Sequence, residues 1–488
     1  MIRIRPRIAW FVAAAGMLAV VAAVHAPTVN DYFGGDDFMV LGPVRAMGPW
    51  ELIWKSFLAR DNIPYWRPLV SPLYAFEVHL FWLRPLPYHV VVIGLHLVNV
   101  ALLALVAWWL TGRRWVALAA GLIFGIHPAH TTTVPMISST VELFGFIWYL
   151  AAIACCLRVV RGGAGGWYAA GLGAFVLGLL SKESIVSAAG VVTALFLLLD
   201  LLPAWRDRAR RREAAVRFLR RIAPYWALAL PYTAFTFLTN TDDPTGVTHA
   251  MYAPGFHIGQ NLWWMFARLA VPLEIGRGPT VTATGHAGAA LLLAGAILLL
   301  IRGSNQARFL VLWTVIALTP LTLWQPELLV GRFTYMASAP FSILLALGGA
   351  AVVSWFFVAV PRFVPRWAPG AVVVAAAVLG FGLLTLEQNR DRTREGEIYR
   401  ILVTALRRDE PDLPAGSTVL IEDGIWPGPF HAVFLNAVAD TLYGPGKVHI
   451  RNADPAVAPS DVDAMGAYRL RYESGALHQP GSPPSGPD

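Results

Sequence analysis

The stretch "VNDYFGGDDFMVL", residues 29–41, places Asp31, Asp36 and Asp37 just after the first apolar segment of the chain. A carboxylate within hydrogen-bond reach of an attacking hydroxyl can take its proton, and a neighbouring carboxylate can hold the geometry or bind the acceptor. Gly34 and Gly35 let the backbone turn tightly in front of the Asp36–Asp37 pair; the plainer alternative is a solvated loop. Lys182 and Glu183 in "SKES" suit either an ion pair at a helix junction or a lysine that neutralises a phosphate while the glutamate orients it. Arg67 in "YWRPL" and Arg332 in "GRFTYMASAP" carry guanidinium groups that match phosphate oxygens two at a time, although a loop arginine is often only solvated. His127 and His130 have His-x-x-His spacing. Pro128 and the lack of a third ligand weigh against a metal there, which leaves a cap-and-turn role or donation to a phosphate oxygen. Glu142 falls early in an apolar helix, where a carboxylate is costly unless paired; Lys182, a histidine or substrate could pair it. His96 and Asn99, three residues apart, read as interhelical hydrogen-bonding groups.

These residues must be held by membrane helices. The chain has 488 residues, 56% hydrophobic and 14% charged, with mean hydropathy +0.55; soluble domains carry about 25% charge. The net charge of +8 collects in short loops between apolar runs, among them Arg113 and Arg114, Arg158 and Arg161, the run 206–221, and Arg302 and Arg308. That distribution follows the positive-inside rule and gives no reason to invoke nucleic acid. Cys155 and Cys156 are adjacent within an apolar run and match no metal or redox spacing. Eleven membrane helices are expected near 8–26, 88–111, 115–126, 141–160, 167–180, 184–202, 222–239, 287–301, 309–324, 335–358 and 369–387, the first retained rather than cleaved. The N-terminus is then cytoplasmic, residues 27–87 form a long Trp- and Pro-rich first outer loop, and 256–273 reads as an amphipathic helix on the outer surface. The segment 115–126 rises only ~18 Å, short of a ~30 Å hydrocarbon core. The tip "HPAHTTTVP" should therefore be recessed, as should "SKES" after the short helix 167–180. Polar tips at that depth are tolerated only against protein or a wet cavity. The fold class expected is an all-α polytopic membrane protein, residues 1–387, followed by a small extracytoplasmic α/β domain, 388–475, and a disordered tail, 476–488.

Taken in order, Asp36–Asp37 in the first outer loop, "YWRPL", "HPAHTTTV" with a later acidic residue, "LLSKES" and "GRFTYMAS" resemble the integral-membrane glycosyltransferases of the GT-C class. The resemblance is to the protein O-mannosyltransferase-like branch that includes proteins with transmembrane and tetratricopeptide repeats, and it covers roughly residues 8–360. It implies transfer of a sugar from a polyprenyl-phosphate-linked donor to an acceptor hydroxyl on the outer face, with inversion. It implies Asp36 or Asp37 as base, Asp36 preferred, and Lys182, Arg332, His127 and His130 on the donor-phosphate side, with Glu142, Glu183 and Arg67 supporting them. Partners would be membrane lipids, the lipid-linked sugar and a glycan, lipid or protein acceptor; no full metal-ligand set is evident. A bacterial inner-membrane location is expected. Three features depart from the family: Gly331 replaces the usual Glu before the late arginine, only Glu142 follows the histidine turn where many members have Arg-Asp, and no tetratricopeptide repeats follow the last helix. The rival reading is a lipid or glycolipid transporter or flippase. It would favour broken helices in both halves, whereas polar hairpins occur only in the first.

Overall fold

The computed structural model describes residues 6–58, 66–241, 255–272, 281–326, 329, 331–359, 368–422, 431–452, 468–473 and 476–478. The helices, in chain order, are α1 (Pro6–His25), α2 (Gly35–Ala46), α3 (Pro49–Leu58), α4 (Ser71–Phe81), α5 (Pro85–Thr111), α6 (Arg114–Gly125), α7 (Thr140–Val160) and α8 (Gly165–Leu179). They continue as α9 (Ser187–Phe196), α10 (Arg211–Thr241), α11 (His257–Ala270), α12 (Ala283–Arg302), α13 (Asn305–Leu318), α14 (Tyr335–Ala359), α15 (Ala368–Asp409) and α16 (His431–Tyr443). Among the described residues five segments are long and apolar enough to cross a membrane: Ile8–Asn30, Pro85–Thr111, Ile137–Val160, Glu183–Ala204 and Ala283–Arg302.

α5 shows how the chain writes such a helix. Proline opens it, where a missing N–H leaves nothing unbonded, 27 residues carry it ~40 Å, and Gly112 at φ 69° stops it. α6 and α8 have only 12 and 15 residues, as expected for short hairpin arms. At their shared end Arg114 lies over Trp10 and Trp108, and Arg158 over Trp109 and Trp167, at 5.3–5.8 Å from the ring centres. Such a belt of tryptophan and arginine suits a membrane–water boundary. The polar tips lie at the opposite ends of α6 and α8. The bundle core is closed by His96, whose ring bonds Gly125 O and the Tyr335 hydroxyl at 2.9 and 2.8 Å, and by Asn99, which donates to Leu143 O at 2.8 Å. The expected interhelical bonds thus join α5 to α6, α7 and α14.

Two segments differ from expectation. The helix 256–273 was expected to show its polar side to solvent. In α11 that side instead turns inward at two of its four polar positions. Asn261 is fully buried and donates to Thr322 O and Trp324 O, and Arg268 is buried under Trp264. The reason is that the chain leaves α13 through a short 3-10 turn, Thr319–Leu321, and its freed carbonyls need donors. The last helix does not stop near 387: α15 runs 42 residues, straight across the expected domain boundary at 388. Its polar second half carries Tyr399, Leu402 and Leu406 into a second hydrophobic core with α2, α4 and the C-terminal unit.

That unit is a four-stranded sheet in the order β2 (Val448–Asn452), β1 (Ser417–Glu422), β3 (Tyr468–Glu473), β4 (Ala476–His478). β1 is parallel to both neighbours, with Val419 opposite Ile450 and Tyr468, and β4 is antiparallel to β3. Residues 476–478, expected in the disordered tail, extend the sheet by pairing with β3; the rest of that tail, from 479, lies outside the described residues. The buried side of β1, Val419 and Ile421, meets α16 with Leu435 and Val438, and α16 packs along α2.

Glu77 on α4 is fully buried, and among the described residues neither of its carboxylate oxygens has a hydrogen-bond partner. Burial pushes its carboxyl up to about 8, from an ordinary value of 4.5. The folded chain then keeps a proton that the unfolded chain releases, so stability from this position is complete below about 4.5 and declines as pH climbs to about 8. Thermal melts of the detergent-solubilised protein between pH 5 and 8 should show that decline, and Glu77→Gln should flatten it. Parallel melting profiles for the two proteins would count against it.

Candidate active site

The site begins at the N-terminus of α2. Gly34 caps the helix in extended conformation, and Asp37 reaches back to accept from Gly34 N–H at 2.9 Å. The other Asp37 oxygen accepts from Ser138 N–H at 2.7 Å, in the turn Ile137–Ser139 that leads into α7. Tyr74 of α4 donates to Ser138 O at 3.0 Å and braces the same turn. Asp37 is buried, and desolvation lifts its carboxyl to about 6 against the opposing pull of the two backbone donors. It therefore staples α2 to α7. One residue earlier on the helix, Asp36 points elsewhere: its carboxylate is 25% exposed and accepts from Arg332 Nη1 at 2.7 Å.

Arg332 sits in the 3-10 turn Gly331–Thr334 that feeds α14. Its Nε lies 3.9 Å from Glu142 Oε1, and that oxygen also accepts from Lys182 Nζ at 2.5 Å. Glu142 is in the first turn of α7, and Lys182 follows the end of α8. Next to Lys182, Glu183 is held by Arg67 through both oxygens, at 2.8 and 3.0 Å, while Leu69 N–H bonds Leu180 O at 3.1 Å. Residues 66–69 of the "YWRPL" motif are thus docked on the α8 tip. The outcome is one chain of contacts, Asp36–Arg332–Glu142–Lys182, with the Arg67–Glu183 pair alongside. Three carboxylates face three cations, and the formal charge of the group is zero. Salt bridges buried to this degree need every partner: removing one leaves an uncompensated charge, at about 3–5 kcal/mol.

His127 and His130 are fully buried behind this row. His127 Nδ1 accepts from Ala129 N–H at 3.2 Å, and His130 Nε2 shares a 2.8 Å bond with the Ser338 hydroxyl. The His130 ring packs with Phe124, Tyr335 and His96, the His127 ring with His130 and Phe381, and no hydrogen bond joins either to the six charged residues among the described contacts. Their turn, Pro128–Thr132, nevertheless touches the Arg332 turn directly. A Cβ on Gly331 would fall 2.5 Å from Thr132 Oγ1 and 2.9 Å from Arg268 Nη2. Glycine at 331, where the family resemblance would place Glu, leaves room for both groups; a side chain there would displace Thr132 or the Arg268 guanidinium.

No family model matches the chain. Two Drosophila melanogaster proteins do: Protein O-mannosyl-transferase Tmtc2, 33% identical over 162 residues (31% of this chain, 17% of that one), and Protein O-mannosyl-transferase Tmtc1, 32% identical over 183 residues (36% and 21%). The matches thus span about a fifth of the length of these relatives. Among solved structures, the archaeal oligosaccharyltransferase AglB from Archaeoglobus fulgidus, in complex with an inhibitory peptide and a dolichol-phosphate, superposes with a TM-score of 0.52 at 13% identity, over 88% of this chain and 64% of that one.

The chain has a GT-C-like fold. In sequence, part of it is similar to O-mannosyl-transferases. In this GT-C-like bundle the sequence reading missed three positions. Tyr335 and Ser338 lie in the quoted "GRFTYMASAP", three residues apart on one face of α14, and their hydroxyls bond His96 and His130; that spacing was the available signal. Tyr74 had none, because its partner is a backbone carbonyl of a distant turn. Among the described residues no three His, Cys, Asp or Glu side chains group as metal ligands.

Proposed function

We propose that the protein transfers a sugar from a polyprenyl-phosphate-linked donor to an acceptor hydroxyl on the outer face of the membrane, with inversion at the sugar carbon. The observation that carries this reading is the 2.7 Å contact between Asp36 and Arg332, which sets a partly exposed carboxylate against a more deeply placed row of Arg332 and Lys182. Asp36 takes the proton of the acceptor hydroxyl as its oxygen bonds to the sugar carbon. The bond from that carbon to the phosphate oxygen breaks, and its electron pair stays on the phosphate. Arg332 and Lys182 stabilise the charge that develops there, in a site largely closed to water. Asp37 serves as the staple that aims α2, because both its oxygens are occupied by backbone donors. His127 and His130, buried behind the row, back the Arg332 turn from the donor side. Glu183 and Arg67 hold the Lys182 tip in place.

The names of the sequence relatives favour mannose as the sugar, and the dolichol-phosphate in the AglB structure favours a polyprenyl carrier. The acceptor is a hydroxyl on a glycan, lipid or protein. The reading is tested with the full-length protein in proteoliposomes and a radiolabelled polyprenyl-phosphate sugar, following release of lipid phosphate and label in the acceptor. Arg332→Lys keeps the charge but loses the planar fork. Since a charged hydrogen bond is worth about 1.5–3 kcal/mol, turnover should fall about 10- to 100-fold. Wild-type rates in that variant would remove Arg332 from the phosphate side.

A further inference from the structure

Glu142 is the one carboxylate in the row that contacts both cations assigned to the phosphate. Its Oε1 accepts from Lys182 and lies 3.9 Å from Arg332 Nε, while its Oε2 is buried with no hydrogen-bond partner among the described residues. The side chain is 7% exposed, so water screens this charge little. An anion already stands where the donor phosphate is to be received, and the six charges of the group, Glu142 included, sum to zero. Any phosphate that enters brings negative charge into a neutral group and must be tolerated by Glu142.

The two lipids that visit the site differ in that respect. A donor of the form sugar–phosphate–prenyl is a phosphodiester with one negative charge. When the sugar leaves, the phosphate keeps the electron pair and becomes a monoester with close to two negative charges at neutral pH, since its second ionisation lies near pH 6. The geometry points to Glu142 as the residue that discriminates between them: its carboxylate tolerates the singly charged donor and repels the doubly charged lipid product, which promotes product release. Lys182 and Arg332 supply attraction for both lipids, and Glu142 sets the difference, in the way that specificity is a difference of affinities. At about 4–5 Å in an environment of this kind, one additional unit charge changes a binding constant by tenfold or more.

This inference rests on the reading of Lys182 and Arg332 as phosphate-side residues. The test uses the full-length protein in nanodiscs and two probes, undecaprenyl phosphate and its methyl phosphodiester. Glu142→Gln preserves the bond from Lys182 through its amide oxygen, and a thermal melt checks that each variant is folded before binding is read. Glu142→Gln should bind both probes more tightly, and undecaprenyl phosphate should gain about tenfold or more over the diester, so that the ratio of the two affinities shifts by that factor. In steady-state transfer the same variant should be strongly inhibited by added undecaprenyl phosphate. Glu142→Asp, which keeps the charge, should stay near the wild-type ratio of the two affinities. An unchanged ratio in Glu142→Gln, with both probes weakened by Lys182→Ala, would overturn the role of Glu142 and leave the phosphate assignment standing. Unchanged binding of both probes in Lys182→Ala and Arg332→Ala would overturn the assignment and this inference with it.

Discussion

Asp36→Asn should lower turnover about 10²- to 10⁴-fold, the usual loss when a positioned general base is removed. The substitution is nearly isosteric, and the asparagine oxygen can still accept from Arg332, so the 2.7 Å contact that anchors the turn has a substitute. Undecaprenyl phosphate should bind at least as well as to the wild type, because Arg332 loses a competing anion. The split matters more than either number. Loss of turnover with binding retained is what a missing base produces; loss of both indicates a collapsed site, and loss of neither indicates that the proton goes elsewhere. A transporter that moved lipid through the same hollow would retain flux in this variant. Asp37→Asn is a different experiment. One of its two backbone donors would face an amide N–H₂ instead of an oxygen, so destabilisation of the α2–α7 junction should dominate.

The second large effect is expected far from the ionic row in sequence. A Cβ on Gly35 would lie 2.5 Å from the Tyr399 hydroxyl and 2.6 Å from the Phe434 ring. Tyr399 belongs to the polar half of α15 and Phe434 to α16, so the C-terminal unit presses on the helix turn that carries Asp36. Thr393 adds a 2.8 Å bond to Asp31, and Thr441 packs against Gly42 further along α2. Gly35→Ala must therefore shift α2 or α16. Overpacking of this kind costs about 1–3 kcal/mol, and displacing a base by about 1 Å can lower turnover about 10²-fold. The expected result is a modest drop in melting temperature with a large drop in turnover. Tyr399→Phe combined with Phe434→Leu in the Gly35→Ala background should recover part of the rate by making room. A Gly35→Ala protein with wild-type rate and stability would show that the C-terminal unit does not aim Asp36.

That coupling also locates the limit of the linear reading. The expected boundary at 388 rested on a change from apolar to charged composition, and the change is real. It falls inside α15, which runs unbroken from Ala368 to Asp409. Composition reports solvent, and only packing reports which surfaces meet. The same distinction explains α11: its polar residues recur on one side, as a surface helix requires, yet Asn261 serves carbonyls released by a broken turn 61 and 63 residues away.

By itself the sequence determined the short helices and their polar tips, because the length of an apolar run sets its rise and a span of 12 residues must end inside a bilayer. It also determined which residue types were available for chemistry, and their order identified the class of fold. It did not determine which of two adjacent aspartates faces the cations. On a helix, neighbours point about 100° apart, and the choice between Asp36 and Asp37 was made by Ser138 N–H, contributed from a hundred residues further on. Nor could it place Glu142 between Lys182 and Arg332, since three separate helix ends must converge for one oxygen to meet both. Local spacing fixes what each element can offer; long-range packing, held by Gly331 between two turns and by the C-terminal unit against α2, decides what those offers face.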